Sequence, residues 1–204
     1  MTHLKRSCRA FKTVAAPREA EQPALSRLAL LRLAIMRYHV TRKQPNSKMC
    51  FICGMKNAFG VQAFFYELDN DELVAVFTPR EEHQSYPGRL HGGIAAAILD
   101  ETIGRAIMVR YDEAVWGVTL EFTSRYKQPI PLNQELRVRS RITKESGRVF
   151  EGSGEILLSD GSVAVEGFGK YLKMPIEKIM DGALDDDLEW RVVESADDKA
   201  AFEF

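Results

Sequence analysis

The segment Arg89–Gly104 reads RLHGGIAAAILDETIG, and its six apolar residues from 94 to 99 run directly into a carboxylate at Asp100. A helix over these residues is apolar on every side, which is typical of a helix buried all round rather than one lying on a surface. A sheet that curls around a single helix provides such burial. The segment therefore predicts the fold, and it raises the question of what Asp100 does inside a core.

Strand patterns surround this helix on both sides. Six segments alternate apolar and polar residues or are rich in β-formers: 61–68, 72–79, 116–127, 135–145, 148–160 and 162–174. Turn residues separate them at 69–71, at Ser146-Gly147 and at Asp160-Gly161, the last of which is a type I′ hairpin signal. The sequence therefore predicts an α+β protein in the order β-β-α-β-β-β-β. A curved antiparallel β-sheet of about six strands wraps one central helix, which is the hotdog fold.

The composition is that of a folded protein rather than of a membrane or nucleic-acid-binding one. The 204 residues suffice for one domain with extensions, and 45% of them are hydrophobic. No apolar run approaches the roughly 18 residues of a membrane helix, and the net charge of −1 favours no nucleic acid. An odd cysteine count without a clear signal peptide argues against a secreted disulfide scaffold. We therefore expect a cytoplasmic protein with no membrane and no nucleic-acid partner.

The two ends of the chain differ from the middle in charge. Residues 1–48 carry 11 Lys and Arg against two acids, whereas residues 176–204 carry three Lys and Arg against ten acids. We expect a basic N-terminal extension at 1–48, partly disordered with a candidate helix at 25–39, then a hotdog domain at 49–175 and an acidic tail at 176–204. The Arg-rich start also fits an organelle transit peptide. Our preferred interpretation is that Met36 is the natural start.

Three stretches together resemble a known family. They are CFICGMKNAFG at 50–60, YPGRLHGGIAAAILDE at 86–101 and TLEFTSRYKQPIP at 119–131. The chain resembles the hotdog-fold acyl-CoA thioesterases, in the branch that includes the phenylacetic-acid-pathway thioesterases and the mammalian thioesterase superfamily members. The resemblance extends over residues 50–173, and it rests on the spacing from HGG to Asp100 together with the RYKQPIP strand end.

The resemblance implies a thioester hydrolase that cleaves acyl-CoA to a free acid and CoA without a cofactor. It assigns the oxyanion donor to the backbone N–H of Gly92, the nucleophile or general base to Asp100, and an assisting hydroxyl to Thr119. His91 is a further catalytic candidate. The implied substrate-binding residues are Gly93 beside the oxyanion donor, Gln84 or Ser85 for water or carbonyl, and Arg125 and Lys127 for the CoA phosphates.

Physical chemistry independently suits these residues to thioester hydrolysis. Gly92 stands where the helix begins, and a free N–H and the helix dipole there favour developing negative charge. On one helix, however, Gly92 and Asp100 differ in rise by about 12 Å, whereas a nucleophile must come within about 3–3.5 Å of the carbonyl carbon. One helix cannot supply both groups to one carbonyl. We therefore expect a homodimer, or a dimer of dimers (homotetramer), in which Gly92 of one subunit faces Asp100 of the other.

The catalytic assignments have structural alternatives. Asp100 could be a buried acid in an ion pair, although Glu101 with Arg105 at i+4 is the more typical helix pair. Burial raises the pKa of Asp100 and a hydrogen bond from Thr119 lowers it, so the sequence leaves the net direction open. For His91, shaping the turn or making a structural hydrogen bond is favoured over general-base catalysis.

Other chemistry-bearing residues have no firm assignment. Cys50 and Cys53 form C-x-x-C followed by glycine, like half of a zinc knuckle, but a structural zinc site needs four ligands and Cys8 is far away in the sequence. No thioredoxin-like βαβ pattern supports a redox pair. We therefore expect no metal and interpret this segment as a small turn packed against the sheet. Arg125 and Lys127 could equally be a solvated strand end.

Two other functions compete with hydrolysis. A hotdog hydratase or dehydratase pairs a histidine with a carboxylate, but glycines stand in this sequence where that family's glutamate would fall. A non-catalytic acyl-CoA-binding sensor would carry a DNA-binding helix-turn-helix, and the N-terminal residues offer one candidate helix. Thioester hydrolysis is therefore the preferred interpretation.

Overall fold

The computed structural model describes residues 36–180 and 190–204 of the chain. The strands are β1 (Arg37–Lys43), β2 (Asn46–Ser47), β3 (Phe64–Leu68), β4 (Leu73–Phe77), β5 (Trp116–Tyr126), β6 (Leu136–Ser146), β7 (Val149–Leu157), β8 (Val163–Met174), β9 (Trp190–Arg191) and β10 (Ala201–Glu203). The helices are α1 (Gly92–Arg105), α2 (Met108–Tyr111) and α3 (Ile176–Ile179), with 3-10 turns at Glu81–His83 and Asp112–Ala114. None of the helices in these ranges is both long and apolar enough to cross a lipid bilayer.

One antiparallel sheet of eight strands dominates the fold. Its strand order is β10-β1-β3-β4-β6-β7-β8-β5, while β2 and β9 form a separate pair. The helix α1 packs against the strands from β4 to β8. The predicted α+β class is therefore confirmed, with one main helix on a large antiparallel sheet. The sheet has eight strands instead of about six because β1 and β10 extend it beyond β3.

The helix α1 is buried on the side that faces the sheet. Ile98, Leu99 and Ile103 are completely buried there. A Cβ atom at Gly152 of β7 would lie 2.6 Å from Cγ2 of Ile103, so the glycine allows the helix to approach the sheet this closely. The prediction of burial all round holds only in part within one chain, because Ala96 and several neighbours on the other side of α1 stay half-buried.

The strands β1 and β10, near the two ends of the described chain, are part of the main sheet. β1 pairs with β3 on one side and with β10 on the other. Phe202 of β10 lies with its ring centroid 5.6 Å from that of Tyr66. The sheet thus extends past the expected limits at 49 and 175, because apolar residues alternate with the charges of these segments and cover the outer face of β3 and β4. Of the candidate helix at 25–39, residues 25–35 lie outside the described residues, and Arg37–His39 are strand rather than helix.

The three turns expected from the sequence all connect paired strands. They join β3 to β4, β6 to β7 and β7 to β8. The type I′ turn expected at Asp160-Gly161 is wrong, because such a turn needs a positive φ at both residues and only Gly161 has one, at 82°. The N–H of Leu158 donates to the carbonyl of Ser162 at 2.9 Å instead, which closes a three-residue loop.

Candidate active site

Asp100 lies in the ninth position of α1 and receives hydrogen bonds from two strands. The hydroxyl of Thr119 on β5 donates to its carboxylate, 3.0 Å from Oδ1 and 3.1 Å from Oδ2. The phenol of Tyr171 on β8 donates to Oδ1 at 3.0 Å. The carboxylate is half-buried. Within the described part of the chain it is therefore held in place by hydroxyl groups rather than by a basic side chain.

The pKa of Asp100 is raised above its ordinary value. Burial is the largest cause, because it disfavours the charged carboxylate. The hydrogen bonds from Thr119 and Tyr171 lower the pKa and so oppose this effect, whereas the negative charge of the neighbouring Glu101 adds to it. The net shift in the pKa of Asp100, whose direction the sequence left open, is thus upward. A raised pKa suits a carboxylate that accepts protons near neutral pH.

Sheet register explains why both hydroxyls reach the same carboxylate. Thr119 and Tyr171 are directly opposite each other in the antiparallel pairing of β5 with β8. Residues opposite each other in such a pair project from the same face of the sheet, and here that face carries α1. Tyr171 was not among the residues predicted from the sequence. The hairpin at Asp160-Gly161 relates β8 to β7, where Tyr171 lies opposite Phe150, so it carries no signal for the pairing of Tyr171 with Thr119 on β5.

The beginning of α1 provides a different kind of site. His91 is the N-cap residue, and its Nδ1 accepts a hydrogen bond from the N–H of Gly93 at 2.9 Å. This contact gives His91 the turn-shaping role that the sequence favoured. Gly92 is the first helical residue, and its N–H has no hydrogen-bond acceptor in the described part of the chain. An N–H group at this position can donate to a ligand.

A tyrosine not predicted from the sequence lies beside Gly92. The hydroxyl of Tyr126, at the end of β5, donates to the carbonyl oxygen of Gly92 at 2.7 Å. A Cβ atom built at Gly92 would lie 3.5 Å from this tyrosine ring, which is ordinary van der Waals contact. Tyr126 therefore holds the first turn of α1, as Thr119 and Tyr171 hold Asp100 eight residues later.

The other predicted substrate-binding residues lie near the start of α1 rather than near Asp100. The side-chain oxygen of Gln84 accepts a hydrogen bond from the N–H of Gly88 at 2.8 Å, and the N–H of Ser85 donates to the carbonyl of Arg89 at 2.9 Å. Both residues are exposed and shape the loop that enters HGG. These hydrogen bonds hold Gln84 and Ser85 in the loop, and neither side chain contacts Asp100 through a hydrogen bond.

The two predicted cations flank Tyr126. Arg125 and Lys127 are exposed, and the ammonium of Lys127 forms an ion pair with Glu166 of β8. Side chains alternate between the two faces of a strand, so Arg125 and its cross-strand neighbour Glu166 project from the face opposite to Tyr126 and α1, and Lys127 joins Glu166 there. The position leaves open both a phosphate-binding role and the role of a solvated strand end.

A small cavity adjoins Asp100. Its volume is about 60 Å³, whereas pockets that hold small ligands measure about 300–1,000 Å³. One chain by itself therefore does not enclose an acyl group beside the carboxylate. The cavity is lined by Asp100, Glu101, Gly104, Arg105, Trp116, Gly117 and Thr119.

The ion pair expected on α1 is present. The Nε atom of Arg105 lies 2.7 Å from a carboxylate oxygen of Glu101. The guanidinium of Arg105 is almost completely buried and also donates to Sγ of Cys53 at 3.2 Å. Local sequence patterns contain no sign of this contact, because Cys53 and Arg105 are 52 residues apart along the chain.

Part of the chain is similar in sequence to thioesterases. Residues 87–165 match the thioesterase superfamily. The acyl-coenzyme A thioesterase THEM4 of Rattus norvegicus is 31% identical over 107 residues, which are 52% of this chain and 45% of that protein. THEM4 of Mus musculus is 31% identical over 117 residues, or 57% of this chain and 49% of that protein. The chain thus spans about half the length of the curated relatives it matches.

Solved structures share the fold. The crystal structure of a thioesterase superfamily protein superposes with a TM-score of 0.56 and 27% identity, over 60% of this chain and 59% of that one. The Escherichia coli PaaI protein, from the phenylacetic acid degradation operon, superposes with a TM-score of 0.51 and 14% identity, over 56% of this chain and 80% of that one. The expected hotdog fold and the resemblance to hotdog thioesterases are confirmed.

Proposed function

We propose that this chain, of which residues 87–165 match the thioesterase superfamily, hydrolyses an acyl-CoA thioester to a free acid and CoA. The observation that carries the proposal is the carboxylate of Asp100, which is half-buried, raised in pKa and held by hydroxyl groups from Thr119 and Tyr171. A carboxylate with no basic partner among residues 36–180 and 190–204 is free to attack a thioester or to take a proton from water. The acyl-CoA thioesterases among its relatives support the choice of substrate.

In this proposal the N–H of Gly92 donates to the thioester carbonyl oxygen. The donor stabilises the negative charge that develops when the carbonyl carbon becomes tetrahedral. Asp100 then acts either as the nucleophile or as the general base for a water molecule. In both cases it must be ionised, and the hydroxyl of Thr119 keeps its carboxylate oriented.

The proposed active unit is a homodimer, or a dimer of dimers, with sites shared between subunits. Gly92 and Asp100 occupy the first and ninth positions of α1, so about 12 Å of helix rise separates them. The strand β5 supports the same assembly, because it is the outermost strand at its end of the sheet and spans 11 residues. Such an unpaired edge is suited to pairing with a second copy, and Leu120 on it is 55% exposed.

Coenzyme A is proposed to approach from the Gly92 end of α1. Arg125 and Lys127 are exposed cations at the end of the strand that carries Tyr126, on the face of the sheet that points away from α1. Cationic side chains at this end can pair with phosphate groups, while the acyl group extends along the helix towards the partner's carboxylate. No cofactor is needed for this reaction.

The experiment that tests the proposal measures release of free thiol from short, long and aromatic acyl-CoAs. We expect turnover of at least one class by the native protein and a loss of about 100-fold or more in Asp100→Asn. Equal rates in the two proteins would contradict the role of Asp100. Binding of acyl-CoA without turnover would support a non-catalytic binding protein, and water addition to an enoyl-CoA without thiol release would support a hydratase.

A further inference from the structure

The C-x-x-C segment forms a tight turn that brings two sulfur atoms together. The N–H of Gly54 donates to the carbonyl of Cys50 at 2.8 Å. A Cβ atom at Gly54 would lie only 2.3 Å from that carbonyl oxygen, so the turn requires glycine at this position. Within it, Sγ of Cys50, Sγ of Cys53 and a carboxylate oxygen of Glu101 all lie within 4.8 Å of one another.

Cys53 lies in surroundings that stabilise a thiolate. Its side chain is completely buried, and the buried guanidinium of Arg105 donates to its Sγ at 3.2 Å. The pKa of Cys53 is lowered to about 6, chiefly by a hydrogen bond from Cys50 and also by the charge of Arg105, against the opposing effect of burial. The pKa of Cys50 is raised in turn, because its thiol hydrogen-bonds to Cys53 and is partly buried. The two sulfurs therefore share one proton.

A metal ion fits this cluster less well than a thiol pair does. A structural zinc site needs four ligands, and the described residues bring three candidate ligands together, Cys50, Cys53 and Glu101. The positive charge that would balance a Cys53 thiolate and the Glu101 carboxylate is already present, because Arg105 contacts both residues. A guanidinium in this place compensates a thiolate and repels a cation.

We propose that Cys50 and Cys53 are a redox modification site, which closes to a reversible disulfide in reaction with low-molecular-weight disulfides. The partly exposed sulfur of Cys50 gives a small disulfide access to the pair, and the sulfur of Cys53, within 4.8 Å of it, can close the ring. Disulfides in reducing compartments are typically transient and redox-sensing. The site is separate from Asp100, so the proposal is independent of thioester hydrolysis.

The first step occurs at Cys50, the more accessible sulfur. The Cys53 thiolate acts as the base and takes the proton of the Cys50 thiol, and Cys50 then attacks one sulfur of the small disulfide R–S–S–R as a thiolate. A mixed disulfide forms on Cys50, the original S–S bond breaks, and one R–S⁻ leaves and is protonated by solvent. At this stage Cys50 is oxidised and half of the small disulfide is reduced.

The second step uses the buried sulfur. Cys53 loses its proton to solvent, and the guanidinium of Arg105 stabilises the resulting thiolate. This thiolate attacks Sγ of Cys50, so that the Cys50–Cys53 bond forms and the second R–S⁻ leaves. In total, one cysteine thiol and one cysteine thiolate are oxidised to a disulfide, and one R–S–S–R is reduced to two R–S⁻. One R–S⁻ is balanced by the proton that the pair releases to solvent, and the other takes its proton from solvent. An S–S bond of about 2.05 Å results.

The test equilibrates the full chain with reduced and oxidised glutathione in varied ratios and measures intact mass and free thiols. We expect a loss of two hydrogen atoms that excess dithiothreitol reverses, both in the native protein and in Cys8→Ser. Cys53→Ser should instead accumulate a glutathione adduct on Cys50, because the second sulfur is missing. Cys50→Ser should react slowly, because Cys53 is buried. Circular dichroism verifies that each variant is folded.

A second measurement on the Cys8→Ser protein needs no change at the site itself. The thiolate absorbance of the pair should titrate well below the ordinary cysteine pKa of about 8.5. Thiols that stay reduced at every glutathione ratio, or a stable glutathione adduct without ring closure in Cys8→Ser, would overturn the proposal. So would binding of one equivalent of zinc that protects both thiols from alkylation, since the cluster would then be a metal site.

Discussion

Thr119 and Tyr171 lie opposite each other on neighbouring strands, and both donate hydrogen bonds to the carboxylate of Asp100. Both hydrogen bonds lower the pKa of this carboxylate, because each of them favours the charged form. Burial acts in the other direction and is the larger effect. The pKa of Asp100 is therefore set mainly by burial, and the hydrogen bonds from the two strands limit how far it rises.

Removing the Thr119 hydroxyl should move the pH dependence of hydrolysis. In Thr119→Val the pKa of Asp100 rises further, because a hydrogen bond that lowers it is lost. Since Asp100 must be ionised, the acidic limb of the rate profile should move to higher pH, and the rate at its plateau should fall by about tenfold, as for a lost hydrogen bond to a charged group. Rates of thiol release measured across pH provide the test.

Thr119→Ser is the matched control for this change, because it keeps the hydroxyl and removes only a methyl group. Its pH profile should coincide with that of the native protein. Tyr171→Phe should move the acidic limb in the same direction as Thr119→Val. An unchanged limb in both Thr119→Val and Tyr171→Phe would mean that another group titrates in this range.

Gly92 offers a test of the oxyanion donor that leaves the helix intact. Proline is well accepted at the first position of a helix, and His91 before it already has the extended backbone that proline requires, with φ −66° and ψ 132°. Gly92→Pro therefore removes one N–H without breaking α1. We expect thiol release to fall by about 100- to 1,000-fold, the usual effect of losing one oxyanion donor.

Gly92→Ala keeps the N–H and serves as the control. Its added Cβ would lie 3.5 Å from the Tyr126 ring, so the protein should fold normally. We expect it to retain clearly more activity than Gly92→Pro. Equal activities in the two variants, both confirmed as folded by circular dichroism, would exclude the Gly92 N–H as a donor to the substrate.

Mixing two inactive variants tests whether sites are shared between subunits. Gly92→Pro keeps Asp100, and Asp100→Asn keeps Gly92, so a mixed dimer contains one site with both native groups. If half of the dimers are mixed and half of their sites are native, refolding an equal mixture should restore about a quarter of native activity. Thiol release before and after mixing gives the measurement. No gain in a mixture shown to contain mixed dimers would place both groups of each site on one chain.

The raised pKa of Asp100 also has a consequence for stability. A folded-state pKa above the unfolded value means that ionisation costs the folded state free energy, so this stability is present below about pH 3.9 and is lost as pH rises through the folded pKa. Asp100→Asn removes that cost. We expect its free energy of unfolding to exceed that of the native protein at about pH 7 and to approach it at about pH 3. Urea unfolding across pH measures the difference.

Asp160→Asn is the control, because the pKa of Asp160 is shifted in the opposite direction to that of Asp100. The pKa of Asp160 is lowered, chiefly by a hydrogen bond from the Ser162 side chain. Its contribution to stability is therefore present above the unfolded pKa and lost as pH falls through the folded pKa. Asp160→Asn should give no gain at neutral pH. A stabilising effect of similar size in both variants would point to net charge rather than to the site.

Local sequence patterns were sufficient to predict much of the fold and part of the candidate site. Turn residues and alternation predicted the helix and the strands from β3 to β8, and the helical spacing of Glu101 and Arg105 predicted their ion pair. β1 and β10 were missed, because short strands rich in charge look like solvated extensions until they are paired. The limits of the folded domain therefore depend on strand pairing between segments that are far apart in the sequence.

The sequence by itself determined that one apolar helix begins with glycines and carries an acid eight residues later, because both features lie within a single local element. Only the tertiary structure decided what surrounds that acid. Tyr171 is 71 residues away along the chain, and it reaches Asp100 because the register of β5 with β8 places it there. The contact of Arg105 with Cys53 arises in the same way, from the packing of a distant turn against α1. Periodicity is local, whereas burial, hydrogen-bond partners and the resulting pKa values depend on residues that meet only when the sheet closes over the helix.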